Sequence, residues 1–228
     1  MENDPEQAFE WVKQNKDALY KKFADGEVFF SEKTPVTLFM AGSPGAGKTE
    51  VSTRLIEQFT TKPVRIDADE IRRMCPGYTG SNSSVFQKAA NKGVNMLHDY
   101  CLHKCFSLVL DGTFAYRDAL ENVRRSIEKG RRVEIYFVYQ HPVQAWNVTK
   151  AREFEEGRFV PKEVFIRAYI ESQSNVQSIK DTYGNNVVLN FVINDPQKGE
   201  FDLELNIPRL DLYVPDQYSE NDLHEMIQ

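Results

Sequence analysis

The chain has 228 residues, 41% of them hydrophobic and 27% charged, with a formal net charge of −6. That usage is ordinary for a globular chain with material for one sizeable core, and it excludes a fibrous or low-complexity protein. The acidic balance makes nucleic acid an unlikely partner, because extended backbone binding calls for a basic surface, yet it leaves room for a local basic groove that takes a small phosphorylated ligand.

In chain order, the first expected element is a helix over residues 8–24, where Phe9, Val12, Leu19 and Phe23 fall near one face. The N-terminal MENDPEQAFE has neither a basic nor an apolar signal region, and no apolar run approaches the roughly 18 residues that a membrane span needs. No membrane association and a cytoplasmic location are therefore expected. PVTLFMAG (35–42) is a short apolar run closing on glycine and reads as a buried strand. GSPGAGKT (42–49) then matches the phosphate-loop pattern G-x-x-x-x-G-K-[ST] in full, and TEVSTRLIEQF (49–59) continues as an amphipathic helix. Glycines let the backbone wind tightly enough for its N–H groups to face phosphate oxygens, and the helix start adds positive potential. Gly42, Ser43, Pro44, Gly45, Ala46, Gly47, Lys48, Thr49 and Glu50 are the expected nucleotide-binding set. In it Lys48 neutralises the β- and γ-phosphates, and Thr49 ligates Mg²⁺.

VRIDADEIRR (64–73) opens as a second strand and ends with two carboxylates, Asp67 and Asp69. A helix is expected to begin here. Asp67, with Glu70 three residues on, reads as a capping box. Asp69 then lies inside the first turn, free to take a proton from an acceptor hydroxyl. Standing at the strand end, Asp67 is also a candidate for the substrate side, as is Arg72. PGYTGSNSS (76–84) is a polar loop that either lines the acceptor site, through Tyr78 as a ring to stack on and Thr79, Asn82 and Ser83 as hydrogen-bonders, or is plain surface. A helix follows over 91–104, carrying Asn95. FSLVLDGT (106–113) is the third strand, with Asp111 at its tip as an acid to orient Mg²⁺ and Thr113 above the sheet to bond substrate. A helix over 117–130, a strand over 132–140, helices over 143–157 and 161–180 and a strand over 186–195 complete the pattern. Arg152 and Arg158 bracket EFEEG, where Gly157 permits a bend and Pro161 restarts a helix. They either pair with Glu153, Glu155 and Glu156 on a solvated face or act on a transferring phosphoryl group from a jointed lid. Cys75, Cys101 and Cys105 are an odd, sparse set without C-x-x-C spacing, expected as free thiols, with Cys101 and Cys105 packed in the core.

Alternating strands and helices imply an α/β protein of the phosphate-loop NTPase fold: a five-stranded, mostly parallel sheet, helices on both faces and a helical lid. One domain is expected over 1–228, with an N-terminal helical extension (1–34), a core (35–195) containing the lid (about 143–170), and a C-terminal tail (196–228). Ligands then bind beyond the carboxyl ends of the strands, where Asp67, Asp69 and Asp111 stand. Two function classes compete: a small-molecule kinase using ATP or GTP, and an NTPase module that drives a partner. A GTPase switch is disfavoured, since no N-K-x-D sequence follows the loop, and the arginine-bearing lid favours the kinase.

Taken in order, FMAGSPGAGKTEVSTRLIE, VRIDADEIR, PGYTG, VLDGTF and AREFEEGRFVPKEVF resemble the zeta toxin family over roughly residues 35–195. The resemblance implies a kinase that uses ATP or GTP with Mg²⁺. The acceptor it implies is a hydroxyl of UDP-N-acetylglucosamine, and an antitoxin is a possible protein partner. By motif it assigns Lys48 and Thr49 to nucleotide and metal, Asp69 as the base, and Arg152 and Arg158 as phosphate clamps. The chain departs from the family where a sugar-binding glutamate is expected: it offers Asn95, with Asp99 one turn later. Other hydroxyl acceptors, such as a nucleotide cofactor, an antibiotic or a nucleic-acid end, stay open.

Overall fold

The structure is a computed structural model and describes residues 4–116, 118–195 and 200–227. Two helices open it, α1 (Pro5–Gln14) and α2 (Lys16–Phe23). A single helix was expected here. Asn15 interrupts it: its backbone leaves the helical range (φ −101°, ψ 29°), and its side-chain Nδ2 joins its own backbone N–H on the Trp11 carbonyl, at 2.8 and 3.0 Å. The sheet and its crossovers follow as β1 (Val36–Ala41), α3 (Lys48–Ile56), β2 (Val64–Asp67), α4 (Ala68–Met74), α5 (Gln87–Lys104), β3 (Leu108–Asp111), α6 (Ala119–Glu128), β4 (Arg132–Tyr139), α7 (Pro142–Glu156), α8 (Lys162–Tyr183) and β5 (Val187–Asp195). The expected start of α6 at residue 117 lies outside the described residues.

The expected C-terminal tail is not a featureless one. It carries a sixth strand, β6 (Glu200–Glu204), antiparallel to β5, and a closing helix, α9 (Glu220–Met226), whose Ser219 and Asp222 form a capping box. The sheet order is β2-β3-β1-β4-β5-β6, with every pairing but the last parallel. The expected five strands are thus extended by one.

Strand side chains alternate between two cores. Leu38, Met40, Tyr136, Val138 and Val192 pack with Val51 of α3 on one face. Phe39, Ala41, Ile135, Phe137 and Phe191 enter the larger core built with the helices on the other face. α1 reaches this larger core through Ala8 and Val12, and Val12 and Ile71 of α4 both meet Gly93 of α5. The N-terminal helices therefore brace α4 and α5, which carry residues of the site described below. The three cysteines are free: Cys75 and Cys101 are buried, but Cys105 is exposed, because it takes the left-handed cap position of α5 (φ 55°) instead of a core position. No helix among the described residues is long and apolar enough to cross a membrane.

Candidate active site

A cleft of about 920 Å³ opens at the carboxyl ends of β1, β2 and β3. The loop between β1 and α3 forms its floor. Gly45 and Gly47 have positive φ (73° and 92°). A Cβ on Gly45 would sit 2.0 Å from the Ala145 carbonyl oxygen of α7, and one on Gly47 would sit 2.3 Å from Asn194 Nδ2 of β5. Only glycine fits at either point, and the fit binds the loop to two neighbouring elements. Asn194 Nδ2 also donates to the Ala46 carbonyl at 3.0 Å. Lys48 points back over the loop, where its Nζ donates to the Ser43 carbonyl at 2.5 Å. Burial holds its amine down to about 8, against the pull of Asp111; Arg158 and Arg152 lower it further. Such an amine, with a carbonyl as its hydrogen-bond partner, is placed to gain from an arriving phosphate.

Register sets Asp67 beside Asp111 as cross-strand partners at the ends of β2 and β3. Asp111 Oδ2 accepts from Ser52 Oγ (2.9 Å), Arg65 Nε (3.2 Å) and Arg65 Nη2 (2.7 Å), so all three bonds fall on one oxygen. Asp67 is the N-cap of α4 and accepts the Asp69 N–H at 2.8 Å. Glu70 lies 3.7 Å from Arg65, so the expected reciprocal half of the capping box is replaced by this ion pair. Burial and the neighbouring Asp69 push the Asp67 carboxyl up to about 6, against the bond from the Asp69 N–H. The Asp69 carboxylate lies between two guanidinium groups: Arg72 Nη1 donates to Oδ1 and Arg158 Nη1 to Oδ2. Arg72 is buried, which lowers its proton affinity, and its Nη2 donates to Gln87 Oε1 at 2.6 Å. Arg152 Nη2 donates to Glu50 Oε1 at 2.6 Å in the first turn of α3.

Of the sequence-derived residues, Pro44, Gly45, Gly47, Lys48, Thr49, Asp67, Asp69, Arg72, Asn95, Asp111, Thr113, Arg152 and Arg158 line this one cleft. Gly42, Ser43 and Ala46 are buried within the loop beneath it, and Glu50 stands beside it, bonded to Arg152. The structure places Tyr78 and Thr79 elsewhere. The Tyr78 ring packs edge-on against Phe86 at 5.5 Å, and Thr79 bonds Asn82 and Ser81 within its own turn. That loop reaches the cleft through Ser83 and Ser84. Asn95 lines the wall, but both ends of its amide are engaged: Nδ2 donates to Asp118 Oδ2 at 2.8 Å, and Oδ1 accepts from Asn122 Nδ2 at 3.3 Å. Thr113 Oγ1 accepts the Ala115 N–H at 3.3 Å.

Sequence reasoning missed Arg65, Ser52, Gln87, Asn91, Arg167 and Asn194. A signal existed for Asn194, a polar residue at the carboxyl end of the apolar run VVLNFVIND, and for Arg65, which alternates with apolar neighbours in β2.

The zeta toxin family model matches residues 21–201. Among solved structures, a chain from the PezAT chromosomal toxin–antitoxin system of Streptococcus pneumoniae superposes with a TM-score of 0.63 at 17% identity, over 97% of this chain and 87% of that one. A chain of the AvrRxo1-ORF1:ORF2 complex superposes at 0.59 and 16% identity, over 92% and 69%. The same complex with ATP gives 0.59 and 14% identity, over 92% and 70%. No curated protein sequence matches. At these identities the superpositions establish the fold, and the family match covers most of the chain: it belongs to the zeta toxin family of P-loop kinases.

Proposed function

We propose that the protein transfers the γ-phosphoryl group of ATP or GTP, held with Mg²⁺, to a hydroxyl of a sugar nucleotide, with UDP-N-acetylglucosamine as the expected acceptor. The observation that carries this reading is the position of Asp69, in one cleft with Lys48 and Thr49 and in contact with the lid arginine Arg158. A hydrolysing switch needs no carboxylate aimed at a second substrate; a kinase does.

The glycine cradle and buried Lys48 fit a nucleotide polyphosphate. For the metal, Thr49 and Asp111 offer hard oxygen donors, and no cluster of three or more His, Cys, Asp or Glu occurs among the described residues that could hold a metal. A cation here would share those few oxygens with the phosphates, which suits Mg²⁺. When bound, Mg²⁺ neutralises charge on the β- and γ-phosphate oxygens. Lys48 binds the same oxygens from the loop. Arg152 and Arg158 act on the charge that spreads over the equatorial oxygens. The acceptor oxygen forms its bond to the γ-phosphorus as the bond from phosphorus to the bridging oxygen breaks, and the nucleoside diphosphate leaves. The hydroxyl proton passes to a carboxylate oxygen of Asp69. Arg72, bonded to Asp69 and Gln87, serves this step through Asp69. Asn91, Asn95, Arg167 and Glu171 line the same cleft and are the expected contacts for the acceptor.

A protein partner forms part of the proposal. The pneumococcal neighbour comes from a toxin–antitoxin system, and an antitoxin is the expected partner here. Incubation with γ-labelled ATP and a panel of UDP-sugars tests the enzymatic reading. Label in a sugar nucleotide supports it. Label released only as free phosphate, whatever acceptor is present, points to an NTPase module and sinks it.

A further inference from the structure

The two guanidinium groups on Asp69 differ in kind. Arg72 comes from the next turn of the same helix, and its side chain is 6% exposed. Its other amino group is committed to Gln87, whose Nε2 donates to Asn91 Oδ1 at 2.8 Å. This partner is fixed by α4 and α5. Arg158 comes from 89 residues away in sequence, and its side chain is 36% exposed. It stands one residue past the left-handed Gly157 that ends α7, in the short joint before α8. Its lid companion Arg152 is likewise bonded to an acid of the site, Glu50. Both lid arginines thus rest on the protein's own carboxylates.

If Asp69 is the base and Arg158 a phosphate clamp, as the proposed function holds, these contacts have a consequence. A base must present an oxygen to the acceptor hydroxyl, and Arg158 occupies Oδ2. A nucleotide polyphosphate carries more negative charge than a single carboxylate and takes a guanidinium in a bidentate fork.

We propose that Arg158 is a latch on Asp69: without nucleotide it covers Oδ2, and an arriving phosphate draws it off, while Arg72 keeps Oδ1 in place throughout. The base is thereby uncovered only when the phosphoryl donor is present. Nucleotide binding must break the latch, so part of the Arg158–phosphate interaction is spent on releasing Asp69. The measured affinity for nucleotide therefore contains the cost of that release.

A double-mutant cycle on nucleotide affinity tests this without knowing the acceptor. The dissociation constant of a non-hydrolysable ATP analogue with Mg²⁺ is measured by calorimetry for wild type, Asp69→Asn, Arg158→Ala and the double variant, with melting recorded for each. Asp69→Asn releases the latch and should bind the analogue about two- to tenfold more tightly, the lower part of the range for groups coupled by direct contact. In the Arg158→Ala background the same change should bring no gain. Arg72→Lys leaves the Arg158 latch in place and should bring no gain in nucleotide affinity. A gain of equal size in both backgrounds would mean that Asp69 merely repels phosphate, and the latch is overturned. No gain in either background overturns it too, as does an Arg72→Lys variant that reproduces the gain. Failure of wild type itself to bind the analogue would instead remove the proposed function, and the latch with it.

Discussion

Lys48 and Asp67 carry the clearest pH signatures of the site. The Lys48 amine, held by burial at about 8, is neutral in much of the free protein above that pH. Phosphate beside it favours the charged form, so binding must take up a proton there. Calorimetry of ATP-analogue binding in buffers of different ionisation enthalpy should show uptake rising between about pH 7 and about pH 9 towards one proton. Uptake that stays flat over this range would mean that Lys48 does not meet the phosphates. Asp67 has the opposite sense. Its folded carboxyl titrates at about 6, above the ordinary 3.8, so the folded state holds the proton more tightly. The stability this provides is fully present below the ordinary value and is lost as pH rises through about 6. Asp67→Asn keeps an N-cap acceptor and removes the buried charge. At pH 8 it should melt above wild type by about 2–4 °C, corresponding to about 1 kcal/mol for a chain of this size. By about pH 4, where wild type is itself largely protonated, the difference should vanish. A variant that melts lower than wild type at pH 8 but matches it at about pH 4 would show the charge to be favourable.

Among the elements, the phosphate loop is held as much by β5 and α7 as by its own glycines. Asn194 caps the Ala46 carbonyl and fills the space beside Gly47. Asn194→Ala should therefore weaken nucleotide binding by roughly tenfold, the worth of one hydrogen bond that orders a loop, with little loss of melting temperature. Unchanged affinity, measured by the same analogue titration, would show that the loop holds its shape alone. This support was hidden from the sequence, because it joins residues 148 positions apart. Local features were legible. The apolar run, glycine loop and amphipathic helix around 35–59 fixed β1, the loop and α3, and the DAD sequence marked the cap of α4. β6 was legible in retrospect: Phe201, Leu203 and Leu205 alternate with Asp202 and Glu204, a period-two pattern. The break at Asn15 was not, because an asparagine serves equally well on a helix surface. Tyr78 and Thr79 were misplaced for a related reason. A polar loop shows that it turns, while which residues face the cleft depends on Phe86 and on α5 behind it.

For the whole molecule, the sheet order brings the ends of β1, β2 and β3 together. Residues from the loop, α4, α5, α7 and α8 then converge on one cleft. Strand–helix alternation told of a parallel sheet and of a site at its carboxyl edge. It could not tell which acids would pair with which arginines, since Asp69–Arg158 and Glu50–Arg152 join residues 89 and 102 positions apart. The central claim is that this assembly moves a phosphoryl group with Asp69 as its base. The most direct test sets wild type beside Asp69→Asn, nearly equal in size, in acceptor-dependent transfer from labelled ATP to UDP-N-acetylglucosamine and related UDP-sugars. Analogue binding and melting are measured on the same samples. Wild type should label an acceptor, and Asp69→Asn should transfer about 10²–10⁴-fold more slowly, the usual worth of a general base, while binding nucleotide at least as tightly as wild type and staying folded at the assay temperature. Transfer at the wild-type rate by Asp69→Asn would contradict the account.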